Sequence, residues 1–172
     1  MGFRLLTKLN PCPCGYLNDP TRSCACNEGQ IQKYLGRVSG PLMDRIDMHV
    51  EVTPVPFEEL SLRRAGPKSS EIRDRIIDCR RIHADRFRDS PGTYCNAQMT
   101  SRQVKETCRL DESGQALMKA AMQRIGLSAR AYHRILKVAR TISDLAGEEG
   151  ITTTAVAEAI QYRALDRDSW RR

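Results

Sequence analysis

The chain has 172 residues, of which 40% are hydrophobic and 28% charged, and its formal net charge at neutral pH is +7. These proportions are typical of a globular protein and exclude a disordered or fibrous chain. No stretch approaches the roughly 20 apolar residues of a membrane-spanning helix, and residues 1–6 are too short for a signal peptide. We therefore expect a cytoplasmic protein without a membrane partner. The basic charge fits either an acidic partner such as nucleic acid or a solvated basic surface.

The sequence of the first third of the chain predicts short strands and short helices. Residues 3–9 are typical of a short strand, and residues 30–34 and 42–46 of brief helices. Residues 48–53 alternate apolar and polar side chains, as a half-buried strand does. Two isolated short strands cannot bury their own faces, because a sheet needs neighbouring strands and cover. We therefore expect residues 1–56 to be the end of an α/β domain whose earlier strands are missing from this sequence.

The rest of the chain predicts a linker followed by a helical bundle. Residues 57–68 are linker-like, with Gly66-Pro67 as a break. Residues 69–172 contain amphipathic segments, each preceded by a residue that can cap a helix. The expected caps are Ser69 or Ser70, Thr100 with Gln103, Asp111, Ser128, and Thr153 or Thr154. The first helix is expected to bury a face formed by Ile72, Ile76, Cys79 and His83. The predicted fold is therefore mostly α.

Four of the seven cysteines lie in one turn-rich loop with the pattern C-x-C-x9-C-x-C. They are Cys12, Cys14, Cys24 and Cys26. Two close pairs of thiols can supply the four soft ligands of a tetrahedral zinc site, which would fold a loop that has no core of its own. The spacing within each pair is shorter than the usual two to four residues, so a redox-labile thiol cluster and unligated cysteines stay open as alternatives. Cys79 and Cys108 fall on helix faces, where thiols serve as small buried hydrophobes.

Three segments in order resemble one protein family. They are residues 10–16 (NPCPCGY), residues 39–47 (SGPLMDRID) and residues 126–142 (GLSARAYHRILKVARTI), and residues 159–163 (AIQYR) add to them. This combination resembles the magnesium-chelatase-like AAA+ ATPases of the ComM/YifB type, which are linked to DNA processing in natural transformation. The resemblance implies that residues 1–56 are the end of an AAA+ α/β core with short strands and a Cys-rich loop. It also implies that residues 69–172 are the α-helical lid domain.

The resemblance assigns a nucleotide-facing role to three residues. Asn10 lies where the family has its sensor-1 residue, and a neutral amide can hydrogen-bond a γ-phosphate or orient the attacking water. Arg45 lies where related ATPases carry an arginine finger, which reaches the site of a neighbouring subunit. Arg130 resembles the sensor-2 arginine of the lid. The cofactors implied for the intact protein are ATP and magnesium, and the partners are DNA and further copies of itself in a hexamer.

Each of these residues also has a simpler interpretation. Asn10 precedes Pro11 and suits a turn. Arg45 is close enough in sequence to pair with Asp44 or Asp47, and Arg130 suits a solvent-facing helix position. A wider phosphate- or DNA-facing stripe is also open, because Arg130, Arg134 and Lys137 share one helix face.

No lysine follows a glycine, so the phosphate-binding P-loop motif is absent from this sequence. We therefore expect that the chain alone does not hydrolyse ATP. The resemblance implies that it supplies sensor, finger and lid residues to a larger ATPase, which in the intact protein would be a hexameric branch-migration motor. Two other functions stay open. One is the ATPase subunit of a magnesium chelatase that inserts the metal into a porphyrin, and the other is a stand-alone zinc-containing nucleic-acid-binding module.

Overall fold

The computed structural model describes residues 5–52, residue 55 and residues 66–163. The helices of this part are α1 (Glu28–Leu35), α2 (Gly40–Met43), α3 (Ser69–Arg86), α4 (Ser101–Thr107), α5 (Glu112–Ile125), α6 (Ala129–Ala146) and α7 (Thr153–Gln161). A 3-10 turn, Asn96–Gln98, lies between α3 and α4. Most of the predicted linker, the outer ends of both predicted strands and the end of the chain lie outside the described residues.

The described residues contain no β-strand, so the strands expected at 3–9 and 48–53 are not seen there. In the second segment the face expected to be buried is exposed, since Met48, Val50 and Val52 are 43%, 63% and 85% accessible. The alternating pattern is that of a strand packed in a sheet, and the described residues offer no neighbouring strand. The backbone N–H of His49 instead donates to the carbonyl of Tyr162, 2.7 Å away.

The helical part is built around α6, which packs against α3, the 3-10 turn, α4 and α7, while α5 packs against α7. On α6 the side chains of Ala131, Ile135 and Ala139 are fully buried. They meet Met118 of α5 and Val156 of α7 in one hydrophobic core. Helices that each expose an apolar stripe bury these stripes against one another, which is the main source of their stability.

The helix starts follow the expected capping chemistry at three positions and differ at two. The side chains of Thr100, Asp111 and Ser128 each accept the N–H three residues on, as predicted. For α3 the cap position is Lys68 and no side-chain cap bond forms, so Ser69 and Ser70 are inside the helix. For α7 the cap is Thr152 rather than Thr153 or Thr154. Three successive threonines satisfy the same local pattern, so the sequence alone does not distinguish among them.

The face predicted for α3 is buried only in its second half. Cys79 and His83 are buried, whereas Ile72 and Ile76 are 44% and 47% exposed. Cys108 is buried as well, and burial is the main cause that raises the pKa values of Cys79 and Cys108. These two thiols therefore behave as the buried hydrophobes that the sequence predicts.

A buried carboxylate joins α3, the 3-10 turn and α6. The side chain of Asp144 is fully buried and accepts two hydrogen bonds from Arg86, at 2.6 and 2.5 Å. It also accepts from Nε of Arg140 at 3.0 Å and from Nδ2 of Asn96 at 2.7 Å, and His83 Nε2 lies 3.1 Å away. Burial alone would raise the pKa of Asp144, but these bonds and the charge of Arg140 outweigh it and hold the pKa well below its usual range.

None of the helices in the described part of the chain combines the length and apolar character that crossing a membrane requires.

Candidate functional site

The structure brings together the four loop cysteines predicted as metal ligands. Their sulfur atoms all lie within 4.8 Å of one another. The Sγ of Cys12 is 3.3 Å from that of Cys14 and 3.7 Å from that of Cys24, and Cys14 and Cys24 are 3.5 Å apart. None of the four is in a disulfide. A tetrahedral zinc ion with Zn–S bonds of about 2.3 Å places its sulfurs roughly 3.8 Å apart, so the thiol geometry fits zinc.

Two tight turns fold the loop into this arrangement. Gly15 has φ +86 and its N–H donates to the carbonyl of Cys12 at 3.1 Å, so residues 12–15 form a tight turn that contains both thiols of the first pair. A carboxylate oxygen of Asp19 accepts from the backbone N–H groups of Thr21 and Arg22, at 2.7 and 2.9 Å. The Cys-x-Cys spacing is short for a zinc site, and the turn at Gly15 shows how both sulfurs still reach one point.

The cysteine loop and α1 share a small core of their own. Cys12 is fully buried with Ile31 and Leu35 of α1, and Leu17 and Tyr34 pack around them. α1 itself is fixed by a capping box between Asn27 and Gln30. The thiols therefore supply much of the apolar interior of this unit.

The four thiols differ in how easily they lose a proton. Backbone N–H groups of Tyr16 and Ala25 hydrogen-bond the sulfur of Cys14 and lower its pKa to about 6. At Cys24 a backbone bond from Cys26 acts in the same direction. Burial and the hydrogen bonds and charge of the neighbouring thiols outweigh it and raise the pKa of Cys24 to about 12. Several thiolates this close repel one another, and a bound cation would remove that repulsion.

Arg45 is exposed at the end of α2 and does not pair with either neighbouring acid. Its Nη1 donates to the carbonyl of Pro41 at 3.2 Å. Asp47 forms an ion pair with Arg134 of α6, while an oxygen of Asp44 lies 3.4 Å from Oγ of Ser128. The pairing that the sequence left open for Arg45 is therefore not present, because both acids are used to hold the segment on the helical part.

Residues 44–49, which we call the finger segment, contact the helical part at two places: Arg163 after α7, and the start of α6. At the C-terminal end, buried Arg163 donates through Nη1 to the carbonyl of Ile46, and its Nη2 lies 3.9 Å from Asp44. At the start of α6, Ser128 and Arg134 contact Asp44 and Asp47. The finger segment and the first turns of α6 therefore form one surface.

Of the three cations on one face of α6, Arg130, Arg134 and Lys137, two bond within the protein. Nζ of Lys137 donates to the carbonyls of Ala97 and Met99, at 3.0 and 2.6 Å, and Arg134 pairs with Asp47. Burial lowers the pKa of both cations. Arg130, in contrast, is exposed in the first turn, with no side-chain bond among the described residues. Asn10 is exposed too, beside the turn at Gly15.

Sequence reasoning missed Arg163 and the network around Asp144. The sequence marks Arg163 only as part of the closing AIQYR segment, although its side chain is 1% exposed and donates to the carbonyl of Ile46 in the finger segment. Asp144 falls on the apolar side of α6, and a charged residue within such a stripe is the signal that marks a buried ion pair. Arg140 is one turn away on the same helix, but the other partners, Asn96, Arg86 and His83, lie 48 to 61 positions away along the chain, where no local sequence pattern indicates the contact.

Comparison with known proteins gives two family matches and several relatives. Residues 66–163 match the model for "Magnesium chelatase, subunit ChlI C-terminal", and residues 1–60 match that for "Magnesium chelatase, subunit ChlI". Competence protein ComM of Haemophilus influenzae is 37% identical over 169 residues, and uncharacterized protein YifB of Escherichia coli 34% over 167, each over 96% of this chain. Uncharacterized protein Rv2897c of Mycobacterium tuberculosis is 32% identical over 161 residues.

This chain spans 31% of the length of each of these relatives. The C-terminal family model covers more than half of the chain, and the relatives match nearly all of it. The chain belongs to the magnesium-chelatase-like family.

Proposed function

We propose that this chain is the C-terminal part of a larger ATPase and that it supplies residues which act on a nucleotide held elsewhere. Arg45 would be the arginine finger, Arg130 the sensor-2 arginine and Asn10 the sensor-1 amide. Residues 1–56 would complete the α/β core, with strands that form beside the core's earlier strands, and residues 69–172 would be the lid, joined by the linker 57–68.

The observation that carries this proposal is the arrangement at the finger segment. Arg45 and Arg130 are both exposed. Asp44, which precedes Arg45, contacts Ser128, which is two residues before Arg130. A guanidinium is permanently charged and offers a rigid fork of donors to phosphate oxygens. Neighbouring cations have other roles, since Arg134 and Lys137 bond within the protein. The two arginines are therefore available to a phosphate.

ATP with magnesium would supply the phosphoryl group, and the residues of this chain would stabilise charge on it and orient it. A neutral amide at Asn10 can hydrogen-bond a phosphate oxygen or the attacking water without bringing a second charge. Arg45 would contribute when charge builds up on the transferred phosphoryl group, and Arg130 would link that event to the position of α6.

We propose further that the intact protein is a hexameric DNA motor acting in branch migration. The support is membership in the family and the likeness to a relative named a competence protein. The basic net charge of +7 suits a polyanionic partner. A magnesium chelatase subunit is the second candidate, and the descriptions of both matching family models favour it. The four-cysteine loop favours the DNA motor, since a chelatase subunit has no evident need for it.

The loop cysteines, in this proposal, hold one structural zinc ion. The support is the separation of 3.3–3.7 Å among the sulfurs of Cys12, Cys14 and Cys24, with Cys26 nearby. Four protein ligands leave no open position for a substrate, so the metal would stabilise the loop rather than take part in hydrolysis.

The test is ATP hydrolysis by the intact protein with Arg45→Ala, and with Arg37→Ala as a matched exposed control. Loss of a finger is expected to lower kcat by roughly 10³- to 10⁵-fold while nucleotide affinity changes little. Arg37→Ala is expected to keep wild-type turnover. A wild-type rate in Arg45→Ala would contradict the finger role of that residue.

Stimulation of turnover by branched DNA supports the motor, whereas stimulation by a porphyrin with magnesium supports the chelatase. This chain on its own is expected to release no phosphate above buffer.

A further inference from the structure

One groove among the described residues has a lining that includes none of the finger segment. It has a volume of about 920 Å³ and lies between α4, α5 and the early turns of α6. Its apolar lining includes Leu110, Met118, Met122, Tyr132 and Leu136. Methionine side chains are flexible and are common on surfaces that bind varied peptides. The lining of the groove includes neither the four loop cysteines nor Asn10, Arg45 and Arg130.

Three cations from three different elements line the same groove. Lys105 is on α4, Arg109 in the loop that follows, and Lys119 on α5, and all three are exposed. Among the described residues none of them takes part in an ion pair or a side-chain hydrogen bond, in contrast to Arg102, which pairs with Glu106 at 2.9 Å on the same helix. The acidic side chain in the lining is Glu112. The groove thus combines an apolar floor with a positive rim.

The groove follows α5 from Glu112 to Gln123, a distance of about 16 Å at 1.5 Å per residue. That length matches about three turns of a second helix laid alongside. We propose that the groove binds an acidic amphipathic helix of a partner protein, with its apolar face on the floor and its carboxylates beside Lys105, Arg109 and Lys119. This mode of recognition needs an apolar groove with charge complementary to the helix, and both are present.

A phosphate ligand fits the groove less well. The start of α5 is the place where backbone N–H groups would bind an anion, but the carboxylate of Asp111 accepts the N–H of Gly114 at 2.7 Å and Glu112 follows it. Nucleic acid would use the three cations and leave the apolar floor uncovered, with Tyr132 as the aromatic ring available for stacking. The apolar floor therefore favours a peptide over nucleic acid.

The test uses the whole chain and a fluorescein-labelled synthetic peptide of about 14 residues, with Leu and Phe at i, i+3, i+4 and i+7 and Glu at most other positions. A peptide of the same composition in permuted order has the same charge without the apolar face. Fluorescence anisotropy is expected to give micromolar binding of the first peptide, weaker binding at higher salt, and at least about tenfold weaker binding of the permuted one.

Two variants locate the binding. Arg109→Glu with Lys119→Glu is expected to weaken binding by about tenfold or more. Ala116→Trp fills the groove from an exposed position, so it should block binding without disturbing the core. Lys33→Glu on α1 changes one exposed charge outside the groove and is the control.

Three outcomes would overturn the proposal: no binding of the amphipathic peptide, equal binding of the permuted peptide, or binding that Ala116→Trp leaves unchanged. Tighter binding of a single-stranded oligonucleotide that the groove variants abolish would assign the groove to nucleic acid instead. None of these results depends on ATP hydrolysis, so they leave the proposed function untouched.

Discussion

Asp47 and Arg134 form an ion pair across 87 positions of sequence and join the finger segment to the second turn of α6. The side chains are 56% and 24% exposed, so water weakens the pair. The guanidinium is nevertheless partly desolvated, and this burial, with the nearby charge of Arg163, lowers the pKa of Arg134. The charge of Asp44 acts in the opposite direction, and Asp47 adds a second carboxylate to a surface where Arg134 and Arg163 lie close together.

Asp47→Asn is expected to loosen the finger segment without unfolding the helical part. An exposed or half-exposed pair contributes about 0.5–1 kcal/mol, which is too little to threaten the core. Hydrogen exchange is the measurement: the amide of His49, bonded to the carbonyl of Tyr162, should exchange faster, while amides of α5 and α6 stay protected. Glu51→Gln, which removes an exposed charge nearby, is the control. Unchanged exchange at His49 in the Asp47 variant would show that the pair does not hold the segment.

Asp144→Asn is expected to destabilise the helical part strongly. The carboxylate is fully buried between Arg86 and Arg140, and its loss leaves two guanidinium groups without their counter-charge. Breaking such a buried arrangement costs about 3–5 kcal/mol. Urea unfolding followed by circular dichroism measures the loss. Asp78→Asn removes an acid that is 69% exposed in its pair with Arg81, and is expected to change stability by less than about 0.5 kcal/mol. Similar midpoints for the two variants would contradict this prediction.

The pH dependence of stability follows from the lowered pKa of Asp144. The folded state holds this proton less tightly than the unfolded chain, in which an aspartate has a pKa of about 3.9. The stabilisation is therefore complete above the unfolded value and is lost as pH falls below about 4 towards the folded value. The difference in unfolding free energy between wild type and Asp144→Asn should be constant near neutral pH and shrink in acid. A difference that grows on acidification would contradict the lowered pKa of Asp144 in the folded state.

Zinc is expected at about one equivalent per chain in protein purified without chelator. Removing it should expose Ile31 and Leu35, because buried Cys12 and the three partly buried cysteines of the loop form one side of their core. Elemental analysis measures the metal, and hydrogen exchange in α1 measures its structural effect. Cys24→Ser with Cys26→Ser should lose the metal, whereas Cys95→Ser, a half-buried thiol elsewhere, should keep it. Metal-free wild-type protein with a fully protected α1 would contradict a structural zinc site.

The features that the sequence predicted well are those fixed within a few residues. Thr100, Asp111 and Ser128 begin helices because a side-chain oxygen of each accepts the N–H three positions on. The gathering of the four cysteines was likewise predicted, since both pairs are close in sequence and turns bring them together. Each of these depends on local chemistry.

The features that the sequence did not reveal depend on partners far along the chain. Met48, Val50 and Val52 have a strand pattern, yet without neighbouring strands in the described residues they stay exposed. The partners of Asp44 and Asp47 could not be predicted either. Arg45 is their nearest cation in the sequence, but their partners in the structure are Ser128 and Arg134. The roles of Asn10, Arg45 and Arg130 stay predictions, since they require a nucleotide.

The side chains of α6 are bonded to its surroundings along most of its length. Arg134 is tied to the finger segment, Lys137 to the carbonyls around the 3-10 turn, and Asp144 to α3. These anchors connect α6 to three separate parts of the fold, so a rotation of the helix about its axis would break several of them at once. A push on Arg130 would therefore travel as a rigid displacement to Asp144, about 21 Å further along the axis. The contacts of α6 thus link the finger segment at its start to α3 at its end.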